Sequence, residues 1–277
     1  MTKTWFITGA SSGLGRIMTE KLLDRGDRVI GTARRTDALS DLANAHADRL
    51  HVVLLDLVDT AAVRTAIDRA FERAGRIDVV VSNAGYGLFG AGEELSDEQI
   101  DRQIATNLTG SIQLIRASLR HLRSQGGGRI VQVSSEGGQI AYPGFSLYHA
   151  SKWGIEGFIE AVAQEVAPFA IDFIIVEPGP TGTNFGAALD RAEPSGIYEE
   201  TPAGEVRRLI AGGAFVIRGD AASTVDAMIG AADSDHPPLR LALGSTAYEN
   251  IRTALAKRLE ALEAQRDIAL SADRKKN

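Results

Sequence analysis

The sequence contains no cysteine, and that absence excludes disulfide bonds, thiolate metal sites and a cysteine nucleophile. No apolar run reaches membrane-spanning length, and a strand that begins at about Lys3 leaves no room for a signal peptide. Basic residues are not in excess, because the net charge is −6, and a nucleic-acid partner would need a basic face. We therefore expect a cytoplasmic protein with no membrane partner and no nucleic-acid partner.

Apolar residues make up 44% of the 277 residues, which is enough for a sizeable core. The length allows one large α/β domain or two small ones. Candidate strands alternate with candidate helices throughout, and this alternation predicts one doubly wound parallel sheet with helices on both faces. The chain has no internal repeat and no spacing typical of metal ligands, so we expect no bound metal.

A glycine-rich turn joins the first candidate strand to the first candidate helix. The apolar run at residues 4–7 meets Thr8-Gly9-Ala10-Ser11-Ser12-Gly13-Leu14-Gly15, and apolar residues then recur at helical spacing. Such glycines let the backbone approach a pyrophosphate, and the helix N-terminus offers N–H donors with a partial positive charge. The pattern predicts a dinucleotide site, with a plain glycine turn as the alternative.

The end of the second candidate strand, residues 28–35, bears on the choice of dinucleotide. An enzyme that selects NAD usually has an acidic residue there for the ribose hydroxyls, but this chain has Ala33 followed by Arg34. A guanidinium can bind a 2′-phosphate through two hydrogen bonds. The pattern predicts NADP(H) in preference to NAD(H), and Arg16 could add a second positive group. The alternative is that Arg34 and Arg35 are solvated loop charges.

Tyr148 and Lys152 are four residues apart in a predicted helix that runs towards Pro168, so they share one face. A neighbouring ammonium favours phenolate, and we expect it to lower the pKa of Tyr148 towards working pH. The pair also occurs by chance on amphipathic helices. Ser135 ends the candidate strand at 129–135, thirteen residues before Tyr148, and Asn107 lies inside a predicted helix from Ser96 to about residue 123.

These motifs together resemble the short-chain dehydrogenase/reductase family, from about Lys3 to Leu243. The resemblance implies one dinucleotide-binding and catalytic domain over 1–277, with a seven-stranded parallel sheet in the order 3-2-1-4-5-6-7. The implied activity is hydride transfer between NADP(H) and a small-molecule carbonyl or secondary alcohol. Residues 184–213 are rich in Gly, Pro and charge, and they fit a substrate lid or a long surface loop. Residues 248–265 are predicted to form a C-terminal helix.

The resemblance also implies roles for particular residues. Ser135 would bind the carbonyl oxygen, and Tyr148 would donate the proton. Lys152 would hold the nicotinamide ribose, and Asn107 would keep a water that links Lys152 to solvent. The implied cofactor-binding residues are Gly9, Ser11, Ser12, Gly13, Leu14, Gly15, Arg34, Asp56, Leu57, Asn83, Ala84, Gly85, Tyr148, Lys152, Pro178, Gly179, Thr181 and Thr183. Asp56 could equally cap the helix that follows it.

Two other functions stay open at this level. One is a non-catalytic dinucleotide-binding regulator. The other is a sugar-nucleotide epimerase or dehydratase, although such relatives usually carry a G-x-x-G-x-x-G turn and a longer C-terminal domain. The family resemblance further implies a homodimer or homotetramer that associates through helices at about 97–123 and 148–168. Leu108, Ile112, Ile115 and Leu119 recur there at helical spacing, but a face buried inside the monomer would show the same pattern.

Overall fold

Parallel pairing joins seven strands into one sheet in the computed structural model, which describes residues 2–213 and 216–274. These strands are β1 (Thr4–Ile7), β2 (Arg28–Ala33), β3 (Leu50–Leu54), β4 (Val79–Ser82), β6 (Gly128–Val133), β7 (Ile171–Pro178) and β9 (Arg240–Leu243). The short strands β5 (Leu88–Phe89) and β8 (Asp190–Arg191) form a separate two-stranded sheet. The order β3-β2-β1-β4-β6-β7-β9 confirms the predicted topology, in which the seven strands were numbered consecutively.

The helices cover both faces of this sheet. They are α1 (Gly13–Asp24), α2 (Ser40–Ala45), α3 (Thr60–Ala74), α4 (Asp97–Ile104), α5 (Ser111–Ser124), α6 (Ser146–Val166), α7 (Pro202–Ala211), α8 (Ala221–Asp233), α9 (Ser245–Ala264) and α10 (Arg266–Ser271). Buried residues of α3, α5 and α6 form one core with the sheet, and those of α1, α2 and α8 form a second core. Across the described ranges, no helix combines the length and the apolar character needed to cross a membrane.

The strand residues alternate between the two cores. In β4, Val80 packs with the first core, whereas Val79 and Val81 pack with the second. Successive side chains of a strand point to opposite faces, so a strand with helices on both sides must be apolar at nearly every position. This requirement explains the continuous apolar runs from which the strands were predicted.

The register of the sheet places the ends of β1, β4, β6 and β7 along one edge. Ile7 pairs with Val81, which pairs with Val131. Val131 in turn pairs with Ile174. The segments that follow these strands therefore meet at the carboxyl edge, which is where ligands bind in open α/β sheets.

The helix predicted from Ser96 to about residue 123 is interrupted. Helix α4 ends at Ile104, a wider π-helical turn occupies Ala105–Gly110, and α5 follows it. Two close contacts accompany the turn: Asn107 bonds to the backbone of Tyr86, and a Cβ on Gly110 would lie 2.8 Å from the carbonyl oxygen of Leu57. Wide turns of this kind are frequent at functional sites, and helical periodicity alone does not reveal them.

Several helix and strand boundaries in the structure differ by a few residues from those that the sequence predicts. Strand β3 ends at Leu54, before Asp56. Asp59, rather than Asp56, caps α3, because its carboxylate accepts a hydrogen bond from the Ala62 N–H at 2.9 Å. The C-terminal helix begins at Ser245 instead of about 248, and its first turns bury Ala247 and Ile251.

The segment at 184–213 has regular structure. Strand β8 pairs with β5, and α7 follows after a short 3₁₀ turn. Two glycines permit this docking, since a Cβ on Gly87 would lie 2.4 Å from Leu189 and one on Gly90 would lie 2.6 Å from Ala192. The segment is therefore attached to the rest of the domain through β8, and it contains a strand and a helix in addition to loops.

Gly15 provides a test of the packing at the start of α1. A Cβ there would lie 2.3 Å from the carbonyl oxygen of Gly9 and 2.4 Å from the Asn83 amide nitrogen. We expect Gly15→Ala to lower the free energy of unfolding by about 1–3 kcal/mol through overpacking. Gly157→Ala is the control, because Gly157 is on the exposed side of α6, where an added Cβ meets nothing within 4 Å and should stabilise the protein by roughly 0.5–1 kcal/mol.

Urea unfolding followed by circular dichroism measures both variants. A Gly15→Ala protein as stable as the Gly157→Ala protein would contradict the close approach of α1 to the turn.

Candidate active site

The glycine-rich turn after β1 is tied to the segment after β4. The hydroxyl of Thr8 accepts hydrogen bonds from the backbone N–H groups of Asn83 and Ala84, at 2.9 and 3.1 Å. The Asn83 side chain donates to the carbonyl oxygens of Thr8 and Gly9. Thr8 was not among the predicted site residues, and the only signal for it was its place at the start of the glycine pattern. These bonds fix two backbone segments of the site relative to each other.

The glycines give the turn its shape. Gly9 and Gly13 have φ angles of +66° and +54°, in the left-handed region that favours glycine. Among the described residues, the Ser12 side chain makes no capping hydrogen bond to α1. The first N–H groups of a helix have no partner within the helix, so this end can bind an anion. Thr183 faces this turn, because a Cβ on Gly13 would lie 3.9 Å from the Cβ of Thr183.

The arginines near this turn differ in their surroundings. Arg16 binds Glu20 at 2.6 Å and Asp41 at 3.0 Å, and its hydrogen bond lowers the pKa of Asp41 to about 2. The sequence suggested Arg16 as a second positive group for the phosphate, but two carboxylates compensate its charge. Arg35 binds Asp37 at 3.1 Å. Arg34 is exposed, and no carboxylate of the described chain lies within ion-pair distance of it.

The remaining predicted cofactor residues line the same edge. Asp56 is exposed and accepts a hydrogen bond from the Val58 N–H, whereas Leu57 is buried beneath the π-helical turn. At the end of β7, the Gly179 N–H donates to the Leu243 carbonyl, and the Thr181 hydroxyl donates to the Gly179 carbonyl. The structure therefore brings both segments to the carboxyl edge of the sheet.

Ser135, Tyr148 and Lys152 come together where α6 crosses the end of β6. Ser135 follows β6, and its hydroxyl accepts a hydrogen bond from the Gly137 N–H at 3.0 Å and lies near enough to the Tyr148 phenol to lower the pKa of that group. The Lys152 ammonium lies 5.6 Å from the centre of the Tyr148 ring and donates to the Val133 carbonyl at 3.0 Å. Ser134, the neighbour of Ser135, donates instead to the Glu156 carboxylate.

Asn107 lies beside this group on the π-helical turn. Its amide accepts from the Tyr86 N–H at 3.1 Å and donates to the Tyr86 carbonyl at 2.8 Å. The same amide nitrogen is 3.4 Å from the Ser151 hydroxyl on α6. Asn107 therefore links the segment after β4 to the helix that carries Tyr148 and Lys152.

The pKa values in the site follow burial more than charge pairing. Burial raises the pKa of Tyr148 to about 12, against the opposite effect of the nearby Ser135 hydroxyl. Burial also lowers the pKa of Lys152 to about 8. The expectation that Lys152 lowers the tyrosine pKa is wrong for this arrangement. The ammonium binds the Val133 carbonyl, and the carboxylates of Glu136 and Glu156 oppose phenolate.

Aromatic side chains form the wall of the site next to the phenol. The Phe185 ring, from the 184–213 segment, lies 5.6 Å from the Tyr148 ring, and Phe145 lies 6.3 Å from it. Phe89 of β5 packs edge-on against Phe145 at 5.1 Å. None of the three was predicted, because isolated phenylalanines without periodicity carry no sequence signal for a site. The space in front of Tyr148 is therefore largely apolar on this side.

His149, next to Tyr148, is held by two hydrogen bonds to the backbone. Its Nδ1 donates to the Gly137 carbonyl at 2.8 Å, and its Nε2 accepts from the Tyr142 N–H at 2.8 Å. Burial lowers its pKa, which keeps the ring neutral in this arrangement.

Comparison with known proteins shows which families and structures the chain resembles. A family model described as short chain dehydrogenase matches residues 3–194. The chain is 40% identical over 253 residues to a protein named oxidoreductase BOA17 from Botryotinia fuckeliana (strain B05.10), covering 90% of this chain and 91% of that one. A solved short-chain dehydrogenase from Streptomyces avermitilis has 39% identity and a TM-score of 0.90, covering 98% of both chains. Another, from Burkholderia cenocepacia J2315 in complex with NADP, has 26% identity and a TM-score of 0.74, covering 95% of this chain and 97% of that one.

Proposed function

Because the chain belongs to the short-chain dehydrogenase family, we propose that it is an enzyme which transfers hydride between a nicotinamide dinucleotide and a carbonyl or secondary alcohol. The observation that carries this proposal is the meeting of Ser135, Tyr148 and Lys152 at the end of β6, on the same edge as the glycine-rich turn. A non-catalytic regulator would have little need of this group, and we do not favour that alternative.

The residues at the carboxyl edge fit such a cofactor. The left-handed glycines and the N-terminus of α1, which lacks a side-chain cap among the described residues, suit a pyrophosphate. We assign the adenine end to Asp56 and Leu57 and the nicotinamide end to Pro178, Gly179, Thr181 and Thr183, with Asn83, Ala84 and Gly85 between them. When bound, the cofactor supplies or accepts the hydride.

The side chains supply proton transfer and orientation. With a pKa of about 12, the Tyr148 phenol is protonated at neutral pH, which suits a proton donor to a carbonyl oxygen during reduction. The Ser135 hydroxyl would hydrogen-bond the same oxygen. Lys152 would hold the nicotinamide ribose, and Asn107 would keep a water on the path from Lys152 to solvent. The aromatic wall at Phe145 and Phe185 would contact an apolar part of the substrate.

We further propose that NADP(H) is preferred over NAD(H). Ala33 ends β2 and is buried, so no carboxylate stands there to bind ribose hydroxyls or to repel a 2′-phosphate. Arg34 follows it, is exposed, and is not engaged by a carboxylate of the described chain. Arg35, in contrast, already binds Asp37. These surroundings support Arg34 as the phosphate ligand.

Three further expectations remain proposals. We propose that the chain is one domain whose 184–213 segment acts as a lid, because Phe185 of that segment covers Tyr148. Cytoplasmic location and a homodimer or homotetramer stay predictions. Ile115 is fully buried and Leu108, Ile112 and Leu119 pack partly against the same core, so part of this apolar face serves the monomer itself. Light scattering at micromolar concentration distinguishes the assemblies from a monomer.

Tyr148→Phe tests the proton donor. We expect kcat to fall by about 10²–10⁴-fold because the variant has no phenolic proton to give, while NADPH affinity stays near that of the wild type. Tyr248→Phe is the matched control, since Tyr248 is exposed on α9 and should leave both quantities unchanged. NADPH oxidation with a panel of carbonyl compounds measures kcat, and fluorescence titration measures affinity. Wild-type turnover in Tyr148→Phe would rule out the assignment.

Replacing Ala33 with Asp and Arg34 with Ser tests the cofactor choice. A charge-assisted hydrogen bond contributes about 1.5–3 kcal/mol, so the wild type should favour NADPH by roughly tenfold to a hundredfold in kcat/KM. The double variant should shift this ratio towards NADH by a similar factor. Arg35→Ser is the control, because Arg35 is paired with Asp37 and its loss should move the ratio little. An equal preference in the wild type, or an unmoved ratio in the double variant, would contradict the role of Arg34.

A further inference from the structure

The turn that carries Ser135 contains a buried carboxylate. Ser135 caps a 3₁₀ turn at Glu136–Gly138, and Glu136 is only 2% exposed. Its carboxylate accepts one hydrogen bond from the Tyr142 hydroxyl and a second, at 3.2 Å, from the side-chain amide of Asn250 on α9. The Asn250 amide is also 3.3 Å from the Tyr142 oxygen, so the three side chains form one connected group.

A second contact joins the same turn to α9. The Arg258 guanidinium donates to the Gln139 carbonyl at 2.6 Å, directly after the 3₁₀ turn. Ala247 and Ile251 of α9 also pack in one apolar cluster with Ile140. Helix α9 thus holds the turn at both ends, although it lies beyond the region that the family model matches.

The buried carboxylate depends on its donors. Burial raises the pKa of Glu136, and the hydrogen bonds from Tyr142 and Asn250 act in the opposite direction. An unpaired buried charge is costly, so the turn is at its lowest free energy only where the carboxylate reaches both donors. The position of Ser135, the residue preceding this carboxylate, is therefore coupled to the position of α9.

We propose that Glu136 and Asn250 are positioning residues, through which helix α9 holds the Ser135 turn against Tyr148. This inference rests on the proposed function, in which Ser135 and Tyr148 contact the substrate oxygen. Glu136 and Asn250 are assigned no contact with the substrate in this proposal. They act through Ser135.

The charge of Glu136 adds a readout that a purely structural role would not change. The charged and titratable groups around Tyr148 are Glu136 on the turn, Lys152, Glu156 and His149 on α6, and Tyr142. A nearby carboxylate disfavours phenolate and so raises the pKa of Tyr148. Glu136→Gln removes the charge but retains an acceptor for Tyr142. Alcohol oxidation requires a phenol that has lost its proton, so its pH profile should move to lower pH in this variant.

Asn250→Leu tests the link to α9. We expect kcat for carbonyl reduction to fall about tenfold at unchanged NADPH affinity, which is the effect of one lost hydrogen bond on the activation free energy. Hydrogen–deuterium exchange of the peptide that covers residues 135–142 should become faster, because the turn loses a donor. Arg252→Gln, on the exposed side of α9, is the control and should match the wild type in both measurements.

The double variant Glu136→Gln with Asn250→Leu completes a double-mutant cycle with the two single variants. Its loss of kcat should be smaller than the sum of the single effects in free energy, because the uncharged side chain no longer needs the second donor. Wild-type kcat or wild-type exchange in Asn250→Leu overturns the proposal, as does an unmoved pH profile in Glu136→Gln. If the wild type reduces no carbonyl compound, the proposed function fails, and the exchange measurement alone then decides whether α9 holds the turn.

Discussion

A buried ammonium group fixes the geometry on which the site depends. Lys152 is only 6% exposed, and its ammonium donates to the Val133 carbonyl at the last residue of β6. A charge placed so deeply is costly unless it has hydrogen-bond partners, so helix α6 is held at the position where this carbonyl is within reach. One turn further along α6, Glu156 accepts from the Ser134 hydroxyl at 2.5 Å. These two contacts place Tyr148 over Ser135.

The charges behind this contact extend into the last part of the sheet. Arg240 on β9 binds Glu156 at 2.7 Å and also binds Glu177 on β7. Both carboxylates are about 2% exposed, and a buried carboxylate is stable only when it is paired. The final strand therefore contributes more than an edge to the sheet, because it supplies the cation that neutralises the carboxylates beneath the candidate site.

Much of the fold could be predicted because its signals are local. The strands β1, β4 and β7 are nearly continuous apolar runs, as strands covered on both faces must be. The glycine-rich turn and the spacing of Tyr148 and Lys152 are also local, since both follow from backbone conformation within a few residues. Features that depend on distant contacts were missed. The π-helical turn at Asn107 is one, because it accompanies bonds to Tyr86, twenty-one residues away.

The sequence by itself determined the alternation of strands and helices, the glycine turn and the shared helix face of Tyr148 and Lys152. It did so because periodicity, φ preference and helical spacing act over short stretches of chain. Only the tertiary structure decided the electrostatics of the site and its surroundings. Burial, which no local pattern shows, raised the pKa of Tyr148, and folding brought Phe185 and Asn250 to the site from segments far along the chain. Long-range packing sets the desolvation and the neighbours of each group, and these in turn set its chemistry.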